Sequence, residues 1–322
     1  MPMLDMPLSQ LKEYQGLNPR PADFDAYWDE ALAEMKAMDS DVQLVDADFQ
    51  APGVVCQHLS FTGVGNVRIH ANFVRPVNVH GKCPGVVSFH GYTAAANSFL
   101  SMLPYAYAGF FAVSLDVRGQ GGESQDSSSK YGPTVYGHIV NGLNDPDPRN
   151  LFFRNVFLDA AQLAGILMDM EAVDETRVAA MGGSQGGALT LVCAALEPRI
   201  AYAAPQYPWL CDYKRVWEMD QACNAYQGLK DYFRRFDPRH EREDEIFYKL
   251  GYIDVQFLAP RIKGRVHMGT GLMDNICPPS TQFAAFNKIT AEKDVEIYPD
   301  FGHEWLPGFD DKVHQQLMKM RG

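Results

Sequence analysis

Ser184 sits at the centre of Gly182-Gly183-Ser184-Gln185-Gly186, a Gly-x-Ser-x-Gly pentad. A small apolar run, residues 178–181, leads into it, and a small-residue helical pattern from Ala188 follows. That order spells strand, sharp turn, helix. A serine at the tip of such a turn is held in a strained conformation. Its neighbours must be small so that the incoming strand and outgoing helix can approach each other. A serine hydroxyl is too weak an acid to attack a carbonyl unaided, so it needs a base. His303, in Pro299-Asp300-Phe301-Gly302-His303-Glu304, is the candidate base. Asp274, in Gly271-Leu272-Met273-Asp274-Asn275-Ile276-Cys277-Pro278, is the candidate acid that fixes the imidazole tautomer and stabilises the imidazolium. The plainer readings are a glycine-rich turn with an incidental serine, a turn aspartate and a structural histidine.

Each of the three follows a predicted strand: residues 177–181, 266–271 and 295–298. Parallel strands of one sheet would bring all three to its carboxyl edge. The chain order Ser, Asp, His is that of α/β-hydrolases and differs from the other two common triad scaffolds. An ester carbonyl also needs donors for its developing oxyanion. One backbone N–H normally comes from the residue after the nucleophile, here Gln185. The second is expected from His90-Gly91-Tyr92, which follows the buried apolar run 84–89, and the Tyr92 N–H is favoured. Arg118, in Asp116-Val117-Arg118-Gly119-Gln120, and Glu304 are two further polar groups. Paired, they would anchor the histidine loop from behind. Two unrelated surface charges is the plainer alternative.

Around these residues the chain alternates strand and helix signals. Residues 1–50 carry helical signals, with Phe24, Tyr27, Trp28, Leu32 and Met35 at helical spacing after Pro21-Ala22-Asp23. This segment reads as a lid or brace across the main domain. Residues 54–61 and 67–74 read as an antiparallel hairpin, and 84–89 and 110–115 as strands buried on both faces. Residues 123–150 are polar and rich in Gly, Pro, Asp and Ser, a long loop beside the site. Residues 154–171 form an amphipathic helix with Val156, Leu163, Ile166, Leu167 and Met170 inward. A helix over 188–196, a strand over 200–204, and helices over 279–290 and 310–320 complete the pattern. Residues 205–258 are aromatic, charged and irregular, an inserted cap or assembly surface. The alternation predicts a single α/β domain across 1–322, with a mostly parallel central sheet and helices on both faces.

Bulk composition narrows the function. The 322 residues are 46% hydrophobic and 12% aromatic, enough for a buried sheet. The net charge of −12 repels a phosphate backbone, so the expected partner is a neutral or weakly charged small molecule and not nucleic acid. The six cysteines form no Cys-x-x-Cys pair and read as reduced and buried, with a bridge between Cys211 and Cys223 left open. The nine histidines are scattered and show no metal-ligand spacing, and there is no phosphate loop or dinucleotide fingerprint. No metal and no cofactor are therefore expected. No basic-then-apolar leader opens the chain and no run of about 18 apolar residues occurs, so a soluble cytoplasmic protein is expected and no membrane partner.

Arg118-Gly119-Gln120, Gly182-Gly183-Ser184-Gln185-Gly186 and His303-Glu304 together resemble carbohydrate esterase family 7. These are the acetyl xylan esterases that also act as cephalosporin C deacetylases. The resemblance runs from the Met-Pro opening and Met6-Pro7-Leu8 to the His-Glu motif, with no departure inside the three motifs. It implies removal of acetyl groups from short acetylated xylo-oligosaccharides, other acetylated sugars and the 3′-acetyl of cephalosporins. It also implies a preference for small acyl groups, an intracellular location, no cofactor and a doughnut-shaped homohexamer with sites facing an internal cavity. In such an assembly the aromatic insert from Tyr207 to Phe236 would be an interface. Tyr92, Pro208 and Trp209 are candidates for the wall of the substrate pocket. Two other readings stay open: a peptidase or broad-specificity carboxylesterase of the same fold, and a non-catalytic relative. The peptidases usually carry a propeller, for which this chain is too short. Non-catalytic relatives usually lose the serine or histidine, and both are kept.

Overall fold

The computed structural model describes residues 4–126 and 136–321. In chain order its strands are β1 (Gln43–Asp46), β2 (Val54–Gly63), β3 (Val67–Pro76), β4 (Cys83–Phe89), β5 (Phe111–Leu115), β6 (Val173–Gly183), β7 (Tyr202–Gln206), β8 (Arg265–Gly271) and β9 (Lys293–Tyr298). Among the described residues they form one nine-stranded sheet in the order β1-β2-β3-β5-β4-β6-β7-β8-β9. The β2–β3 hairpin is antiparallel, with Val54 opposite Pro76 and Gly63 opposite Val67. From β5 across to β9 every neighbouring pair is parallel. Parallel strands need covered faces, and here successive residues point to two separate cores. Val87, Val113, Ala180 and Ala203 join the core that includes residues of the helices Phe152–Met168, Gln185–Leu196 and Pro279–Lys288. Val86, Ala112, Ala179 and Ala204 join the one that includes residues of Phe99–Tyr107 and Phe309–Arg321. Short Ala and Val side chains let both layers approach the sheet. This is an α/β-hydrolase fold.

The N-terminal segment is not wholly helical. The helices Leu8–Leu11 and Phe24–Ala37 are followed by β1, an exposed edge strand whose ladder to β2 supplies what its local propensity does not. The segment braces the body: Trp28 is fully buried, stacks on Phe157 at 5.8 Å and donates through Nε1 to Tyr252 O at 3.0 Å. The helix expected at 154–171 runs Phe152–Met168, and Ile166 and Met170 end half-buried at its rim. Residues 205–258 hold the helices Tyr213–Glu218, Gln227–Phe236, Glu243–Leu250 and Val255–Leu258. Most of their rings enter this chain's own core, with Trp209, Tyr213, Tyr226 and Phe233 fully buried and Phe236 exposed. Residues 127–135 of the long loop, and the Met-Pro opening, lie outside the described residues. All six cysteines are free, so the bridge left open between Cys211 and Cys223 does not form. Among the described residues no helix is long and apolar enough to cross a membrane.

Candidate active site

Ser184 is the single residue between β6 and the helix Gln185–Leu196. Its φ of 58° and ψ of −118° lie where a side chain is strained. The turn is held at both ends. Ser184 N–H donates to Gln206 O at 3.0 Å, and Ser184 O accepts from Ala188 N–H and Trp209 N–H, each at 3.0 Å. A Cβ on Gly182 would meet Phe89 O at 2.6 Å, and one on Gly186 would run into the same carbonyl. The two glycines let β6, its neighbour β4 and the helix cross at van der Waals contact.

Asp274 follows β8 and is wholly buried. Its Oδ1 accepts from Ile276 N–H at 2.9 Å and Cys277 N–H at 2.8 Å, which leaves Oδ2 to face His303. His303, past β9, meets that oxygen through Nδ1 at 2.8 Å. A carboxylate only accepts, so Nδ1 carries the proton and Nε2 is left as an acceptor. The histidine side chain keeps 17% of its surface exposed. The Tyr207 ring lies 4.6 Å from the imidazole. Cys277 was not foreseen here. Its sulfur lies within 4.8 Å of ligating atoms of both Asp274 and His303. Burial, then Asp274, push the thiol pKa well up, against a smaller opposing pull from the neighbouring Ser184 hydroxyl. A metal would have to remove that proton and compete with the Asp274–His303 bond. The donor set suits a hydrogen-bonded catalytic group better than a cation cage.

On the other side, β4 runs into His90-Gly91-Tyr92. His90 is structural. Its Nδ1 donates to Gly91 O at 2.7 Å, its Nε2 accepts from Val117 N–H at 3.0 Å, and burial pulls its pKa below the usual histidine range. The Tyr92 hydroxyl donates to His138 Nδ1 at 2.8 Å, and its ring lies 4.4 Å from Trp209. Gln120 ties the two halves of the site together. Its Oε1 accepts from Thr93 N–H at 2.9 Å and from Gln185 Nε2 at 3.0 Å, and its Nε2 donates to Gln185 Oε1 at 2.7 Å. Gln185 opens its helix, where an amide has no intrahelical acceptor, so its N–H can face a ligand. Gln120 stands in the Arg-Gly-Gln motif, yet nothing local showed what it would bond. Pro208 and Trp209 are buried, and Trp209 packs on Tyr92, Phe153 and Tyr226. They form the floor behind the serine turn, while Tyr92 is half-buried.

The expected pairing of Arg118 with Glu304 does not occur. Arg118 makes a planar fork to Asp159, Nε to Oδ2 and Nη2 to Oδ1, each at 2.6 Å, with both side chains buried. Its Nη1 donates to Val64 O at 3.0 Å. A buried guanidinium needs a carboxylate in its own plane, and the helix Phe152–Met168 supplies one. Glu304 stays exposed and accepts from Gly302 N–H at 2.9 Å, shaping its own turn. Arg118 therefore binds the helix to the hairpin turn and not to the histidine loop.

The family model for acetyl xylan esterase (AXE1) matches residues 1–320. The chain belongs to the acetyl xylan esterase family. It is a carboxylic ester hydrolase. Within that family it is similar to the crystal structure of acetyl xylan esterase 1 from Thermoanaerobacterium sp., with 54% identity and a TM-score of 0.96 over 99% of this chain and 100% of that one. An acetyl xylan esterase from Paenibacillus sp. R4 is 34% identical, with a TM-score of 0.90 over 98% of this chain and 100% of that one. The acetyl esterase Axe7A of Xylanibacter ruminicola is 29% identical over 315 residues, which is 92% of this chain and 69% of that protein.

Proposed function

We propose that this acetyl xylan esterase family member removes acetyl groups from small acetylated sugars, acetylated xylo-oligosaccharides among them, and from cephalosporin C, through an acetyl-enzyme. The observation that carries the reading is the 2.8 Å Asp274–His303 bond, at the same sheet edge as the strained Ser184 turn. His303 Nε2 takes the Ser184 proton as Oγ attacks the acetyl carbonyl. Asp274 stabilises the imidazolium. The backbone N–H groups of Gln185 and Tyr92 receive the oxyanion, each worth about 3 kcal/mol of barrier lowering. The sugar alcohol leaves with the proton from His303. Water, deprotonated by His303, then releases acetate and restores Ser184. Every step is proton transfer and addition–elimination at carbon, which these side chains supply.

Ser184→Ala is expected to abolish p-nitrophenyl acetate hydrolysis with an unchanged circular dichroism spectrum. Near-normal turnover would sink the proposal. Rates on acetylated xylose, acetylated glucose and cephalosporin C, beside propionyl and butyryl esters, test the substrate class. Equal rates along the acyl series would remove the acetyl preference. The homohexamer and the cytoplasmic location implied by the family resemblance belong to the same proposal. Light scattering on the purified chain tests the assembly, and a monomer would remove that part.

A further inference from the structure

The helix Pro279–Lys288 starts five residues beyond Asp274 and carries Gln282, whose side chain is fully buried. Gln282 Nε2 donates to Cys277 O at 2.6 Å and reaches Asp274 Oδ2 at 3.4 Å, the same oxygen that holds His303. The acid's position therefore depends on where this helix begins. The helix has no side-chain cap of its own, since Pro278 and Pro279 open it.

The cap comes from the far end of the chain. Asp5 Oδ2 accepts from Ser280 N–H at 2.7 Å, across 275 residues of sequence. Asp5 Oδ1 accepts from Arg215 Nη2 at 2.6 Å, and Arg215 Nε donates to Ser280 Oγ at 3.1 Å. The Asp5 side chain is 1% exposed, far drier than a surface carboxylate. A carboxylate over the first turn also answers the positive end of the helix dipole. The same N-terminal segment then follows the helix to its other end. Leu11 O and Tyr14 O accept from Asn287 Nδ2 at 2.9 and 2.8 Å, and Lys288 Nζ bonds Gln15 O. Tyr14 Oη and Asn18 N–H then close on Asp212 at 2.8 Å each, three residues from Arg215.

We propose that the Asp5 end of this N-terminal strap is a positioning device for Asp274, the acid of the triad. Asp5, oriented by Arg215, fixes the start of the helix, and Gln282 on that helix fixes Asp274. The inference rests on Asp274 being the acid partner of His303. A displacement of about 1 Å in such a group can cost up to about 100-fold in rate, so a partial loosening is expected to cost about tenfold.

The test is steady-state kinetics on p-nitrophenyl acetate with the full chain, well below its melting temperature. Asp5→Ala should lower kcat about tenfold with KM changed by less than about twofold. Asp5→Asn keeps an oxygen for the Ser280 N–H and should recover most of that loss. Asn287→Ala, at the other end of the strap, should lower the melting temperature with kcat unchanged. Should Asp5→Ala fail to fold, Arg215→Met carries the comparison, with a kcat loss of about threefold expected. A full kcat in Asp5→Ala or in Arg215→Met overturns the proposal. So does an Asp5→Asn variant no better than Asp5→Ala, or an equal kcat loss in Asn287→Ala. Asp274→Asn separates the two claims. If it stays active, the triad reading fails. If it is inactive while Asp5→Ala is fully active, only the strap fails.

Discussion

Gln120 and Gln185 meet as a reciprocal amide pair, each Nε2 donating to the other's Oε1 at 2.7 and 3.0 Å. Because Gln120 Oε1 also takes the Thr93 N–H, one buried side chain spans the residue after Tyr92 and the residue after Ser184. These are the two segments proposed to offer the oxyanion donors. Gln120→Ala is expected to lower kcat on p-nitrophenyl acetate about tenfold, since donor alignment and not donor number is lost. Adding Gln185→Ala should cost less than the product of the single effects, because both break the same pair. A Gln120→Ala enzyme with full kcat would show that the segments hold register without the pair.

Arg118 and Asp159 bond each other in the interior, so truncating one strands the other. Arg118→Ala is expected to cost about 3–5 kcal/mol of stability in urea unfolding. Arg118→Lys recovers little, because an ammonium cannot form the fork. Glu304→Ala, exposed and bonded to its own turn, should cost about 1 kcal/mol or less. Similar losses for Arg118→Ala and Glu304→Ala would contradict this assignment.

Two glycines beside the site should respond in opposite ways. A Cβ at Gly186 collides with backbone carbonyls that cannot move without shifting β4. Gly186→Ala should therefore cost about 3 kcal/mol and most of the activity. A Cβ at Gly91 meets nothing within 4 Å, so Gly91→Ala should fold normally. Thermal melting of the pair of variants checks the contrast, and a Gly186→Ala protein as stable as the parent would refute it.

Asp254 sets a pH dependence of stability. Burial, and then the neighbouring Asp212, push its carboxyl up to about 7. An unfolded aspartate titrates near about 4, so between these values the folded state holds a proton that the unfolded chain has lost. That stabilisation is complete below about pH 4 and disappears as pH rises through about 7. Between about pH 5 and pH 7 the loss is on the order of 2 kcal/mol. Asp254→Asn keeps an acceptor for the Asp212 N–H, bonded at 3.0 Å in the parent, without titrating. Urea midpoints at about pH 5 and about pH 8 should fall more for the parent than for this variant. Parallel falls would rule the assignment out.

What could be read from sequence was local or dictated by chemistry. The β2–β3 hairpin, the buried runs of β4 and β5, and the turn around Ser184 follow from short-range pattern, where side-chain period and glycine placement leave few conformations. Asp274 and His303 stand out as candidates because both follow strands in the order one scaffold requires. Element ends moved by a few residues, and β1 was hidden within a helical-looking segment because an edge strand is defined by its neighbour.

Partners across the fold were not legible. Arg118 carried a motif signal, but spacing cannot say which carboxylate meets it. Asp159 looked like any polar residue on an amphipathic helix, and only helix packing turned it inward. Gln120 stood in a motif whose target lies 65 residues on, and Asp5 caps a helix 275 residues away. Residue type and local order thus determined the family, the fold and the identity of the candidate nucleophile, base and acid. Which charges and amides hold them was decided only when burial removed water and left each polar group the one partner within reach.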